Sequence, residues 1–181
     1  MEKELGTTQV YWGNGKGKTT ASLGLALRAL GNGFKVCLIQ FMKCGIETEN
    51  LSEYGELVSL KKFENFCAKS FGAKEWVTKN PSKVHLAEGK KAIEFSKKIL
   101  SGKKYGLVIL DEILYAVQFG LVSEQEVIDL IESKNKSTEL VLTGSHIPFQ
   151  RIFEKTDLVT EMKKHKHYFD KGLKARAGVE F

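Results

Sequence analysis

Short apolar runs alternate with longer stretches of helical spacing along most of the chain. "TTQVYW" (7–12) is rich in β-forming residues and ends at glycines, which predicts a strand. "GKTTASLGLALRALGNG" (17–33) carries Ala, Leu and Arg at helical spacing and closes on glycines, which predicts a helix with a glycine stop. "KVCLIQF" (35–41) is a short apolar run, as a buried strand would be. Residues 42–80 are less regular: "ELVSLKKF" (56–63) reads as a short strand and "NFCAKSFGAKEW" (65–76) as an aromatic loop. "PSKVHLAEGKKAIEFSKKIL" (81–100) reads as a helix opened by Pro81, with Val84, Ala87, Ile93, Phe95 and Ile99 on its apolar side. "YGLVILDE" (105–112) is an apolar strand ending in two carboxylates. "SEQEVIDLIES" (123–133) is a helix whose Ser123 and Glu126 form a capping box. "TELVLTGS" (138–145) is a strand, "PFQRIFEKT" (148–156) a short helix and "DLVTEM" (157–162) a last strand. The remaining residues are basic and glycine-punctuated, a loop over the site or an interface.

Strands that alternate with helices predict an α/β fold, its mostly parallel central sheet flanked by helices on both faces. No repeat or linker-like stretch divides the 181 residues, so residues 1–181 read as a single domain. Hydrophobic residues make up 42 %, enough for a core at this length. The net charge of +6 suits an anionic ligand. The lysines are interleaved with Asp and Glu, which argues against nucleic acid, whose binders cluster charge on one face. Cys37, Cys44 and Cys67 show no C-x-x-C spacing, so neither a disulfide framework nor a zinc site is indicated. No run approaches the roughly 18 apolar residues of a membrane span, and the start "MEKELGTTQV" has no leader pattern, which places the expected protein in the cytoplasm.

The chemistry concentrates where the first strand meets the first helix. "GNGKGKTT" (13–20) is a phosphate-binding loop one residue shorter than G-x-x-x-x-G-K-[ST], with Trp12 where the first glycine would stand. Gly13, Gly15 and Gly17 let backbone N–H groups turn inward, and Asn14 tolerates left-handed geometry. The helix N-terminus adds partial positive charge and Lys16 a full one. Lys18 is placed to reach phosphates, and the Thr19 hydroxyl to meet Mg²⁺. Asp111 and Glu112 arrive at the C-terminal edge of an apolar strand, where open α/β sheets bind ligands, and one of them can hold the metal. "LVLTGSHIP" (140–148) is a polar strand-end turn, open to either a phosphate-facing or a plain structural role. His85, His165 and His167 lack metal-ligand spacing and read as surface or packing residues. Phe63, Phe66, Phe71 and Trp76 read as core, with a flat-ligand pocket as the other reading.

"GNGKGKTT" followed by "LGLALRALGNG" resembles the ATP:corrinoid adenosyltransferases, and so do "VCLIQFMK", "LVILDEI", "LVLTGS", "LVTEM" and "KHYFDKGLKARAGVEF". The resemblance implies a RecA-like P-loop fold and a homodimer. It also implies transfer of the 5′-deoxyadenosyl group of ATP to the cobalt of cob(I)alamin or a precursor corrinoid, releasing triphosphate. The electrons that reduce the corrinoid would come from a flavoprotein or similar donor. The short loop would then hold triphosphate as a leaving group, with the 5′-carbon facing the nucleophile. Lys16, Lys18 and the loop N–H groups would meet the triphosphate, Thr20 would add a hydrogen bond, and Mg²⁺ would sit on Thr19 and Glu112 with Asp111 close by. Arg28 corresponds to an arginine near the nucleotide. Phe71 corresponds to an aromatic that helps expel the corrinoid's lower ligand, while Trp76 stands too far along to match that aromatic's partner. The family's N-terminal cover of the site is expected to be short here. The competing readings are a P-loop ATPase or kinase acting on the γ-phosphate, and an ATP-regulated corrinoid carrier.

Overall fold

A computed structural model describes residues 5–43, 54–75, 77 and 80–180. The elements run β1 (Thr8–Trp12), α1 (Lys18–Gly31), β2 (Val36–Gln40), α2 (Gly55–Leu60), β3 (Phe66–Ser70), α3 (Lys83–Leu100), β4 (Leu107–Asp111), α4 (Ile113–Gln118), α5 (Glu124–Ser133), β5 (Glu139–Thr143), α6 (Gln150–Phe153) and β6 (Leu158–Glu161), with a 3₁₀ turn at Tyr168–Lys171. The strands form one sheet in the order β3-β2-β4-β5-β1-β6, and every pairing is parallel.

β2, β4 and β5 are buried at all five positions, which is why they read as unbroken apolar runs. The pleat still divides them. Leu38, Ile109 and Val141 face α1 and α2, while Ile39, Leu110 and Leu142 face the core built with α3, α4 and α5. In register, Gln40 lies opposite Asp111 and Tyr11 opposite Thr143, so the strands end level with one another. The polar residues that follow them therefore collect along one edge.

Three local expectations are corrected. Residues 56–63 hold a helical turn and not a strand: Leu57 and Leu60 are the buried pair of α2, at i, i+3 spacing. Residues 66–70 are not loop but edge strand β3, whose register pairs Cys37 with Cys67. The third concerns the apolar face assigned to the helix at 81–100. In α3 Ile93, Phe95 and Ile99 pack against the core as expected, but the buried stripe is His85, Gly89, Ala92, Ser96 and Leu100, and Val84 is 59 % exposed. Small residues bring this helix close to its neighbours; a Cβ on Gly89 would lie 2.9 Å from the Leu121 carbonyl oxygen. Helix α4, directly after Glu112, lies within residues to which the sequence pattern assigned no element. Both α3 and α5 open with capping boxes, at Ser82/His85 and Ser123/Glu126; the second is the one expected. His85 is thus a packed, buried cap.

The start of β1 is tied to β5 by one carboxylate. Glu139 accepts from the backbone N–H of Gly6 (3.0 Å) and Thr7 (2.9 Å), from the Thr7 hydroxyl and from Gln9 Nε2 (2.6 Å). Burial pushes this carboxyl up, and the hydrogen bonds from Thr7, Gly6 and Gln9 more than offset it, holding it below the usual range. Glu139→Ala is expected to cost about 2 kcal/mol in chemical denaturation at neutral pH. Because the folded-state pKa is depressed, this contribution is present above the ordinary carboxylate pKa and fades as the pH falls through the folded one. The gap between wild type and variant should therefore narrow in acid.

Candidate functional site

The loop after β1 turns at Gly13 (φ 109°) and enters α1 through Gly17 (φ 117°), both left-handed positions that favour glycine. Its outer side rests on the chain that follows β6. Gly15 N–H donates to Met162 O at 2.6 Å, and Met162 N–H donates back to Trp12 O at 2.7 Å. Asn14 Oδ1 accepts from Lys164 N–H at 2.8 Å. Lys18, the first residue of α1, is buried and curls over the loop, donating to Gly13 O (2.7 Å) and Gly15 O (2.9 Å). Burial lowers its pKa, opposed by the charges of Glu112 and Asp111. Lys16 reaches to Val179 O at 2.7 Å and Glu180 Oε1 at 3.5 Å.

Asp111 ends β4, fully buried, at the centre of a polar knot. Its Oδ1 accepts from the hydroxyls of Thr19 (2.8 Å) and Thr143 (2.7 Å), and its Oδ2 from Lys43 Nζ (2.7 Å). Burial alone would raise this carboxyl; Lys43 and the two threonines outweigh it, and the group stays ionised. Glu112 follows in a left-handed conformation (φ 64°), with its N–H on Thr143 Oγ1 at 2.9 Å. Its Oε1 lies 3.7 Å from Lys43, while its Oε2 is buried without a partner among the described residues. Burial, then the neighbouring Asp111 charge, pushes Glu112 up to about 7. An orphaned buried carboxylate oxygen in a strained backbone is a feature of functional sites.

Two cavities meet at this point. The smaller, about 330 Å³, is cradled by the loop with Lys16, Lys18, His146 and His167. The larger, about 850 Å³, extends past Leu23, Phe41, Tyr54 and Phe119. Thr19, Thr20, Glu112, Tyr115, Val179 and Glu180 border both. Tyr115 stands one helical turn beyond Glu112, with its ring 5.8 Å from Lys18 Nζ and edge-on to His146 at 5.1 Å.

The structure therefore brings Gly13, Asn14, Gly15, Lys16, Gly17, Lys18, Thr19, Thr20, Asp111 and Glu112 together, and the expected polar turn at 140–148 contributes Thr143 and His146. Arg28 is not brought there. It lies in the last turn of α1, ten residues from Lys18 and so roughly 15 Å along the axis, exposed and bordering neither cavity. Phe71 is not brought there either. It is 8 % exposed, packs on Phe95 with ring centroids 5.5 Å apart, and faces a separate small cavity behind Phe41 and Met42. Trp76 lies outside the described residues. Sequence reasoning missed Lys43, Tyr115 and the closing residues Val179 and Glu180. Lys43 had a usable signal: a lysine just past a buried strand, in a sheet whose strands end level.

Parallel sheet, phosphate-binding loop after β1 and carboxylates at the end of β4, with β5 between the two strands, define a P-loop nucleotide-binding protein. The model of the family described as ATP:corrinoid adenosyltransferase BtuR/CobO/CobP matches residues 4–181, and the chain belongs to that family. It is similar to the corrinoid adenosyltransferases of Pseudomonas aeruginosa (33 % identical, 98 % of this chain and 85 % of that one) and of Escherichia coli K12 (31 %, 99 % and 88 %). The CobA corrinoid adenosyltransferase of Salmonella typhimurium is also 31 % identical, over 99 % of this chain and 88 % of its own.

Proposed function

We propose that this site moves the 5′-deoxyadenosyl group of ATP onto the cobalt of a reduced corrinoid, with the triphosphate in the smaller cavity and the corrinoid and nucleoside in the larger. The observation that carries this reading is the junction of the two cavities at Thr19, Thr20 and Glu112. A lysine-lined cradle suits the leaving group, and a roomy cavity edged by aromatics suits a large flat acceptor.

The cobalt electron pair of cob(I)alamin attacks C5′, the C5′–O bond breaks, and its electrons leave on the triphosphate oxygen. The nucleophile needs no general base, so the protein's part is alignment and charge stabilisation. Lys18 exchanges its bonds to Gly13 O and Gly15 O for phosphate oxygens. Lys16 lies across the cradle, within reach once it leaves Val179 O. Thr20, exposed where the cavities join, donates a further hydrogen bond.

The donor set also fits Mg²⁺. Glu112 Oε2 is a buried, unpartnered oxygen, and the Thr19 hydroxyl keeps a lone pair free while donating to Asp111. Asp111, saturated by Thr19, Thr143 and Lys43, orients this pair through the Thr19 hydroxyl. When bound, the ion would neutralise phosphate charge. Glu112→Ala and Thr19→Ala are each expected to raise the Mg²⁺ concentration needed for half-maximal turnover, read from activity against added metal at fixed ATP. Turnover indifferent to divalent metal would remove this role from both residues.

The same reading takes the chain as one domain that works as a cytoplasmic homodimer and draws electrons from a flavoprotein. The sheet edge at β6, which has no further strand beside it among the described residues, with exposed Leu158 and Val159, supports the dimer. Among the described residues no helix is long and apolar enough to cross a membrane. The direct test incubates the protein with Mg-ATP and chemically reduced corrinoid, then resolves the products by chromatography. Triphosphate together with a cobalt–carbon product is expected. ADP or inorganic phosphate would point instead to γ-phosphoryl chemistry, and bound corrinoid without a new bond to a carrier.

A further inference from the structure

The level ends of the strands account for Asp111 and Lys43, but not for a pair of sulfurs near the opposite end of the sheet. Cys37 on β2 and Cys67 on β3 are direct partners in the parallel register, so their side chains leave the same face of adjacent strands. Their Sγ atoms are 3.2 Å apart, and Cys67 Sγ is also 3.2 Å from Tyr105 Oη. Both thiols are free. Strand spacing of roughly 4.8 Å lies inside the range of Cα separations that a disulfide spans, about 4.4–6.8 Å. The two differ in access: Cys37 is fully buried, whereas Cys67 stands on the edge strand and is partly exposed.

We propose that Cys67 and Cys37 form a thiol-disulfide modification site, in which low-molecular-weight disulfides such as oxidised glutathione enter at Cys67 and Cys37 resolves the adduct into an intrachain bond. The Cys67 thiolate attacks one sulfur of the oxidant, giving a mixed disulfide and releasing one glutathione thiolate. Cys37 gives up its proton, attacks Cys67 Sγ and expels the second glutathione. Two protein thiols are oxidised to one disulfide, and one glutathione disulfide is reduced to two glutathione molecules. The contact between the sulfurs, then the Tyr105 hydroxyl and the nearby Lys104 charge, favours the thiolate at Cys67 against the opposing effect of burial, while the same contact raises Cys37. The attacking and resolving roles therefore fall as exposure assigns them.

The position gives the bond a consequence. Residues 37 and 67 bracket the stretch that supplies Phe41, Met42, Lys43, Tyr54, Glu56 and Ser59 to the large cavity. Oxidation would close the two ends of that wall covalently.

The test uses the full-length native chain in glutathione buffers of increasing oxidised fraction. Free thiols are trapped with N-ethylmaleimide, and the protein is digested without reduction for mass spectrometry. A Cys37–Cys67 linked peptide pair that grows with the oxidised fraction and disappears on treatment with dithiothreitol is expected. In Cys37→Ser, Cys67 should stop at the glutathione adduct; in Cys67→Ser, residue 37 should stay unmodified; Cys44→Ser should leave the link intact. A link that involves Cys44, a wild-type Cys67 that remains glutathionylated, or two thiols that stay free across the whole series would each overturn the proposal. The wild-type and Cys44→Ser arms decide it even if the other two variants fold poorly.

Discussion

Lys18→Ala is expected to lower turnover by about 10²–10³ while leaving the fold intact. The ammonium stands at the N-terminus of α1, where helix dipole and loop N–H groups already favour an anion. Its bonds go to two carbonyl oxygens of its own loop, so it is held over the place a phosphate would take. Burial weakens its hold on the proton, and Glu112 and Asp111 oppose that loss. A positive charge in so enclosed a place gains most when negative charge grows nearby, which happens as the C5′–O bond breaks. The loss should therefore appear mainly in kcat, with a smaller change in KM for ATP. Steady-state kinetics with chemically supplied cob(I)alamin isolates the step from corrinoid reduction. Near-normal kcat in a folded variant would remove Lys18 from the reaction.

Gly13→Ala is expected to be the most damaging single-methyl change in the loop. Gly13 sits at φ 109°, where a side chain is strained, at roughly 1–3 kcal/mol. The added Cβ would also lie 2.5 Å from Met162 O and 3.0 Å from Met162 N, and both are backbone atoms that cannot turn aside. Relief means parting the loop from the segment after β6, which breaks the hydrogen bond from Met162 to Trp12 and moves Lys18 with it. A loss of about 3 kcal/mol or more in denaturation is expected, together with loss of ATP binding. Gly24 on α1 is the control: a Cβ there meets nothing within 4 Å. Gly24→Ala should be neutral or stabilise by up to about 1 kcal/mol. If the two variants melt alike, the contact with Met162 does not hold the loop.

That contact also bears on the short loop. With one residue fewer than the usual spacing, Gly13 and Gly15 lie against Met162, and a Cβ on Gly15 would come within 2.6 Å of its carbonyl oxygen. β6 and the chain beyond it thus form the outer wall of the cradle. Nothing in residues 157–164 announces this, because a backbone contact leaves little trace in side-chain pattern. The closing residues were legible only in part: the basic tail reads as a loop over the site or an interface, Val179 and Glu180 border both cavities as the first of these would have it, and the pattern did not single out those two residues.

Local chemistry, written in order along the chain, was legible. The loop glycines, the lysine and threonines that follow, the buried strands with their terminal carboxylates, and the capping box at Ser123 all depend on near neighbours, and the sequence by itself determined them. It also carried the family resemblance. Three things were settled only by tertiary packing. A leucine pair at helical spacing formed α2 where β-propensity pointed to a strand, because burial of that face outweighs a weak local preference. Lys43 joined the site because the register sets Gln40 beside Asp111 and the chain leaving β2 brings Lys43 Nζ to 2.7 Å from the Asp111 carboxylate, a meeting that no local pattern encodes. Arg28 and Phe71, both suggested by resemblance, do not border the two cavities of the site, one because of the length of α1 and the other because it packs against Phe95. Sequence determines which groups are available; the register of the sheet and the close packing of its two faces determine which of them meet.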